Sequence, residues 1–153
     1  MEIRLAENGD LSGWVRLVEP MRHLFPGLET PESMEGYARD VAGAISRQEA
    51  LCAVENGTVC GVLAFSRAEN ELAFLAVSAQ HRRQGIARKL AERMFRELDP
   101  SRPVKLITYR AGVPEGEAAR SLYHRLGFCP GRLVEVDGSP AQEFLRPAEI
   151  PGS

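Results

Sequence analysis

Apolar positions along this chain change spacing several times. Leu11, Trp14, Val15 and Val18 recur at helical spacing, and so do Met34, Tyr37, Val41, Ala44 and Ile45. Asp10 is the expected cap of the first helix, with Pro20 ending or kinking it. Thr30 or Ser33 is the expected cap of the second, with Pro31 in its first turn. Residues 2–6 form a short strand candidate ahead of both. The period then shortens. Residues 50–54 and 59–65 read as two strands joined by the turn Glu55-Asn56-Gly57-Thr58. After a second turn near Ala68-Glu69-Asn70 comes Glu71-Leu72-Ala73-Phe74-Leu75-Ala76-Val77. It is almost wholly apolar beyond Glu71, so both faces should be covered and its place in the sheet central.

Helical spacing returns at about residues 85–98, where Ile86, Leu90, Met94, Phe95 and Leu98 form a stripe. A strand follows at 104–109 and a helix at 115–126, with Gly127 as its expected C-terminal cap. Short strands at 133–136 and 142–145 flank an Asp137-Gly138 turn. The order is β-α-α-β-β-β-α-β-α-β-β. An α/β (α+β) architecture follows, with a central mixed sheet between helices. Residues 1–146 are read as one domain and 147–153 as a loose tail.

The bulk properties narrow the function. The chain has 153 residues, 44% of them hydrophobic and 26% charged, with a formal net charge of -2. That balance argues against a nucleic-acid partner. No apolar run is long enough for a membrane span. Met1-Glu2-Ile3-Arg4-Leu5 lacks a signal peptide's apolar stretch, so a cytoplasmic location is the expectation. Cys52, Cys60 and Cys129 match no metal spacing, so no metal is expected. Cys52 and Cys60 read as core residues, and Cys129 as more exposed. His81 and His124 read as surface residues, and Trp14 as core.

The loop after Val77 carries the strongest chemical signal. Arg82-Arg83-Gln84-Gly85-Ile86-Ala87-Arg88 leads from a central strand into a helix. A helix start offers unpaired amides and a partial positive charge, and arginines around it favour an anion. The dinucleotide and P-loop glycine patterns are both absent. Ligands of open α/β sheets bind at this end of the strands.

Residues 75–87 resemble motif A of the GCN5-related N-acetyltransferase (GNAT) superfamily, Q/R-x-x-G-x-G/A. Arg82, Gly85 and Ala87 fill its fixed positions. Ala119-Arg120-Ser121-Leu122-Tyr123-His124-Arg125-Leu126-Gly127-Phe128 is similar to the family's late helix, A-R-x-L-Y-x-x-L-G-F. The resemblance implies a mostly antiparallel sheet of about six or seven strands with helices on both faces. It also implies an acetyl-CoA-dependent N-acetyltransferase. Leu75 and Val77, with Ala76 between them, would hold the pantetheine arm by their backbone, on a strand that splays from its neighbour. Amides from Arg83 to Arg88, including those of Gln84, Gly85, Ile86 and Ala87, would hold the pyrophosphate. Gly116 and Ala119 would lie at the cofactor; many similar sequences have asparagine where Gly116 stands. Arg83 also stands at a position that is often glycine.

The resemblance further implies direct attack by a primary amine. An alkylammonium at pH 7 is neutral in roughly one molecule in a few thousand, so a base is needed. Glu71 is the leading candidate, because the same strand in histone acetyltransferases carries its base there; Glu35 and Asp40 are weaker ones. Tyr123 is the expected acid for the leaving thiolate, and the Val77 N–H the expected donor to the developing oxyanion. The acceptor site should draw on residues 21–31 and 136–142, with Leu24 and Phe25 as an apolar wall and Glu29, Glu32 and Glu35 as attractors of a cation. A small-molecule amine is the expected acceptor. A peptide amine is an alternative, and so is a non-catalytic acyl-CoA sensor. Dimers are common in the superfamily, which makes a homodimer a candidate assembly.

Overall fold

The computed structural model describes residues 1–149. Its elements are β1 Glu2–Leu5, α1 Leu11–Val18, α2 Pro31–Ser46, β2 Ala50–Glu55, β3 Thr58–Ser66, β4 Glu71–Val77, α3 Ile86–Glu97, β5 Val104–Thr108, α4 Glu117–Arg125, β6 Cys129–Val136 and β7 Ser139–Arg146. Local chemistry explains the sharpest connections. Asn56 and Gly57 have φ of 51° and 75°, and Asp137 and Gly138 have 50° and 80°. Two-residue hairpin turns need left-handed backbone at both positions, which Asx-Gly pairs adopt readily. The two turns join β2 to β3 and β6 to β7.

The seven strands form one sheet in the order β1-β2-β3-β4-β5-β7-β6, antiparallel except where β4 meets β5. β4 is therefore central, as its apolar run requires. Two cores lie on opposite faces. One packs Trp14, Val18, Met34, Val41 and Ile45 of α1 and α2 on Cys52, Val62 and Ala76. The other packs Ile86, Leu90 and Met94 of α3 with Tyr123, Phe128 and Phe144. Leu90 and Met94 are wholly buried, which contributes about 1.5–3 kcal/mol for each side chain. Gly61 lets α3 come this close: a Cβ there would lie 2.7 Å from Ile86 Cγ2. Among the described residues no helix is long and apolar enough to cross a membrane.

Some boundaries differ from expectation. Asp10 does not cap α1 with its side chain. Its carboxylate instead accepts from the Glu7 N–H and from Arg4, both at 2.7 Å. The last two strands are longer than predicted, because Pro130 and Gly131 enter β6 through a register shift rather than ending it. A 3-10 turn, Pro114–Gly116, shortens α4 at its start. Of the expected tail, Glu149 donates its N–H to Pro100 O at 2.9 Å, and 150–153 lie outside the described residues.

Candidate active site

The site is organised by the two edges of β4. Toward β3, six register pairs run from Glu71 to Val77. Toward β5, a single pair, Glu71↔Lys105, holds the strands together. Beyond it they part. The Ser78 N–H donates to Cys60 O on β3 at 2.9 Å. Successive backbone groups of a strand point to opposite edges, so the Leu75 and Val77 amides point into the gap.

Asn70 pins the apex of this gap. It is the one buried polar residue among those described, with 1% exposure. Its carboxamide donates to Asp99 O, Arg102 O and Pro103 O and accepts from the Asp99 N–H at 2.9 Å. These bonds tie the turn before β4 to the segment before β5. Just inside the apex, β4 carries a bulge: Phe65 pairs with Leu72 and Ala64 with Phe74, leaving Ala73 unpaired. A bulge of one residue reverses the facing of the residues after it. Leu72 packs in the α3 core, whereas Phe74 packs in the α1–α2 core.

At the wide end of the gap stands the start of α3. Gly85, its N-cap, has φ 74°, and Arg83 before it has φ 66°. Left-handed backbone costs a residue such as arginine about 1–2 kcal/mol, and the exposed Arg83 accepts that conformation where glycine would adopt it freely. No side chain caps the helix and no acidic residue lies in its first turn. The first-turn amides of Ile86, Ala87 and Arg88 are thus open donors. A Cβ built on Gly85 meets nothing within 4 Å, so the space outside the turn is free. Arg82, Arg83, Gln84 and Arg88 are exposed around it. An uncapped, cationic helix start facing open space suits a pyrophosphate. Ile86 itself is buried and Ala76 packs toward α1 and α2, which leaves only their backbones for such a ligand.

Glu71 and Tyr123 lie on opposite faces of the sheet. Val104, Leu106 and Phe144 belong to the core under α3 and α4. Their strand neighbours Lys105, Ile107, Glu143 and Leu145 therefore face the other way. Glu71, paired with Lys105, shares that face. There α1 and α2 cover β2 and β3, and Ile107 and Leu145 stay exposed at 45% and 39%. Burial pushes the Glu71 carboxyl above its ordinary value; Lys105 pulls it down, and Glu69 and Glu143 push it up. Tyr123 sits in the opposite core, edge-on to Phe128 and Phe144. Burial alone pushes its hydroxyl up to about 12, so at neutral pH it holds its proton. Ala119, one turn earlier on α4, packs against the same core.

Gly116 has a packing reason to be glycine. It is buried, and a Cβ there would lie 2.2 Å from Tyr109 Cβ. Tyr109 in turn donates its hydroxyl to Leu24 O, bridging the end of β5 to the segment between α1 and α2. Glu117 accepts from the Gly112 N–H at 3.2 Å. On the same side Phe25 lies 4.4 Å from Phe74, ring centre to ring centre, and Tyr37 lies 5.1 Å from it. Phe25 and Tyr37 thus cover Phe74 of β4, and Leu24 packs against the same core. Glu29 spends its carboxylate on the Gly27 N–H at 3.0 Å.

Sequence reading missed Gly61, Asn70 and Lys105. The signal for Gly61 was a glycine inside a strand pattern, which marks close approach of another element. Asn70 looked like any turn residue. Its burial arises from contacts distant in sequence. His81 is not the surface residue expected: its side chain is 23% exposed, its Nε2 lies 3.6 Å from Glu55 Oε2, and its Nδ1 is buried without a partner.

Residues 46–130, more than half of the chain, match the model of the acetyltransferase (GNAT) domain. No curated protein matches the sequence. Solved structures share the fold at low identity. An N-acetyltransferase from Staphylococcus aureus Mu50 is 16% identical over 95% of this chain and 100% of that one, with a TM-score of 0.76. The PaiA N-acetyltransferase from Thermoplasma acidophilum, solved in complex with coenzyme A, is 21% identical over 95% and 98%, at 0.70. The ribosomal-protein-S18-alanine N-acetyltransferase from Escherichia coli is 21% identical over 99% and 96%, also at 0.70.

Proposed function

The chain belongs to the GNAT acetyltransferase family, and from that premise we propose that it acetylates a primary amine of a small molecule by direct attack, with Glu71 as base and Tyr123 as acid. The observation that carries this reading is the gap between β4 and β5. It has backbone donors on one edge and an uncapped helix start at its wide end, with Glu71 at its closed end on one face of the sheet and Tyr123 in the core on the opposite face.

Acetyl-CoA supplies an activated acyl group. The residues do the rest. The amides at the start of α3 and the arginines around them hold the pyrophosphate. The Leu75 and Val77 backbones align the arm, and the Val77 N–H is placed to stabilise a developing oxyanion. Glu71, on the open face, takes a proton from the acceptor ammonium, and its raised proton affinity makes it a better base. Tyr123, on the other face, gives a proton to the departing sulfur. In balance, an ammonium and a thioester become an amide and a thiol and release one proton.

The aromatic wall of Phe25, Tyr37 and Phe74 suits an acceptor with an apolar body. The broad exposed face around Ile107 and Leu145 favours a second acceptor class, a peptide amine. Thiol release from acetyl-CoA over a panel of polyamines, aminoglycosides, arylalkylamines and short peptides decides between them. Small amines should give the higher kcat/KM; preference for peptides refutes the acceptor assignment. If acetyl-CoA raises Tm and no amine releases thiol, the protein is a sensor. Tyr123→Phe should lower kcat about 10- to 100-fold without changing acetyl-CoA affinity, and equal turnover removes Tyr123 from the mechanism.

A further inference from the structure

Three carboxylates crowd one ammonium at the apex of the gap. Lys105 Nζ lies 3.0 Å from Glu69 Oε2. Lys105 is also the register partner of Glu71, and Glu143 shares its face from β7. Glu143 has its own cation, Arg132 on β6, at 3.4 Å. Ser66 on β3, the partner of Glu71 on its other side, brings no charge. The Glu71 carboxylate makes no hydrogen bond or ion pair among the described residues, although an ammonium stands on the neighbouring strand.

From this geometry we propose that the Glu69–Lys105 ion pair is a positioning device for Glu71. By drawing the Lys105 ammonium to the turn before β4, it leaves the Glu71 carboxylate unpaired and able to accept the acceptor's proton. The inference rests on Glu71 acting as the base. A carboxylate in a close ion pair is a weaker base and is sterically engaged. A carboxylate facing two others without Lys105 would hold its proton to higher pH and so be less available to accept another. Glu69 and Lys105 together keep Glu71 between these extremes. The burial that raises Glu71 and the opposing pull of Lys105 agree with this placement.

The two partners should act in opposite senses. In Glu69→Gln, Lys105 is released toward Glu71. The acid limb of the kcat/KM profile should move to lower pH, and its plateau should fall about two- to fivefold as the base weakens. In Lys105→Met the limb should move to higher pH. Lys105→Arg, which keeps the cation, should restore the wild-type limb. A purely structural role would lower Tm without moving the limb, and limbs unmoved or moved together would overturn the proposal. The Glu71→Gln control separates this failure from failure of the base assignment. If it keeps the acid limb, Glu71 is not the base. The side-chain carbon shift of Glu71, titrated by NMR in the Glu69 and Lys105 variants, then still reports whether the ion pair governs its ionisation.

Discussion

The starts of α2 and α3 are built in opposite ways. At α2, Thr30 accepts from the Ser33 N–H at 3.1 Å, Ser33 Oγ accepts from the Thr30 N–H at 3.1 Å, and Pro31 fills the first turn. The sequence there satisfies its own backbone. At α3, Gly85 offers no side chain, the first turn carries no acid, and Arg82, Arg83 and Arg88 make no ion pair among the described residues. The contrast is between a helix start whose own side chains satisfy its backbone and one left open among exposed arginines.

The largest effect should come from making α3 resemble α2. Gly85→Asp places a negative charge at the open start of α3, in a left-handed conformation that Asp tolerates better than most residues. Acetyl-CoA affinity, measured by calorimetry, should fall at least about 30-fold, or 2 kcal/mol, and Tm without ligand should drop by the few degrees that about 1 kcal/mol of left-handed backbone costs. Unchanged affinity would show that the open amides hold no phosphate.

Next in size is the charge around the turn. Replacing Arg82, Arg83 and Arg88 together by Gln should weaken acetyl-CoA about tenfold at low salt, and the difference from wild type should shrink with ionic strength. A salt-independent difference would point to lost packing instead. The reverse experiment at α2 is smaller. Thr30→Ala should cost about 1 kcal/mol of stability in denaturant unfolding and leave acetyl-CoA affinity unchanged.

The smallest effect extends the contrast from backbone to side chain. Burial raises Glu71 in the folded protein, so the fold binds its proton more tightly than the unfolded chain does. Its stabilising share is present below the ordinary carboxylate range and is lost as pH rises through the folded value. Glu71→Gln should therefore raise Tm slightly at neutral pH and lose that advantage in acid. A lower Tm at neutral pH would mean that the carboxylate is a structural partner rather than an open base.

Much of this was legible in the chain because it is local. The Asn56-Gly57 and Asp137-Gly138 hairpins follow from backbone that those residues adopt readily. The stripe of Ile86, Leu90 and Met94 follows from helical period. The cationic turn ahead of α3 needs only its own residues to be recognised. The family motifs extended this reading to Glu71 and Tyr123, but their placement on opposite faces was not accessible. It depends on the Ala73 bulge and on which strand lies beside β4.

By itself, then, the sequence determined the elements, their turns and the position of an uncapped helix start among arginines, since period, capping and left-handed backbone are properties of neighbouring residues. Only the tertiary structure decided the gap. Asn70 holds β4 to β5 at one point through residues far along the chain, β7 rather than β6 takes the place beside β5, and Lys105 arrives next to Glu71. Such pairings are chosen by burial and hydrogen bonding across the whole sheet, and no local pattern encodes them.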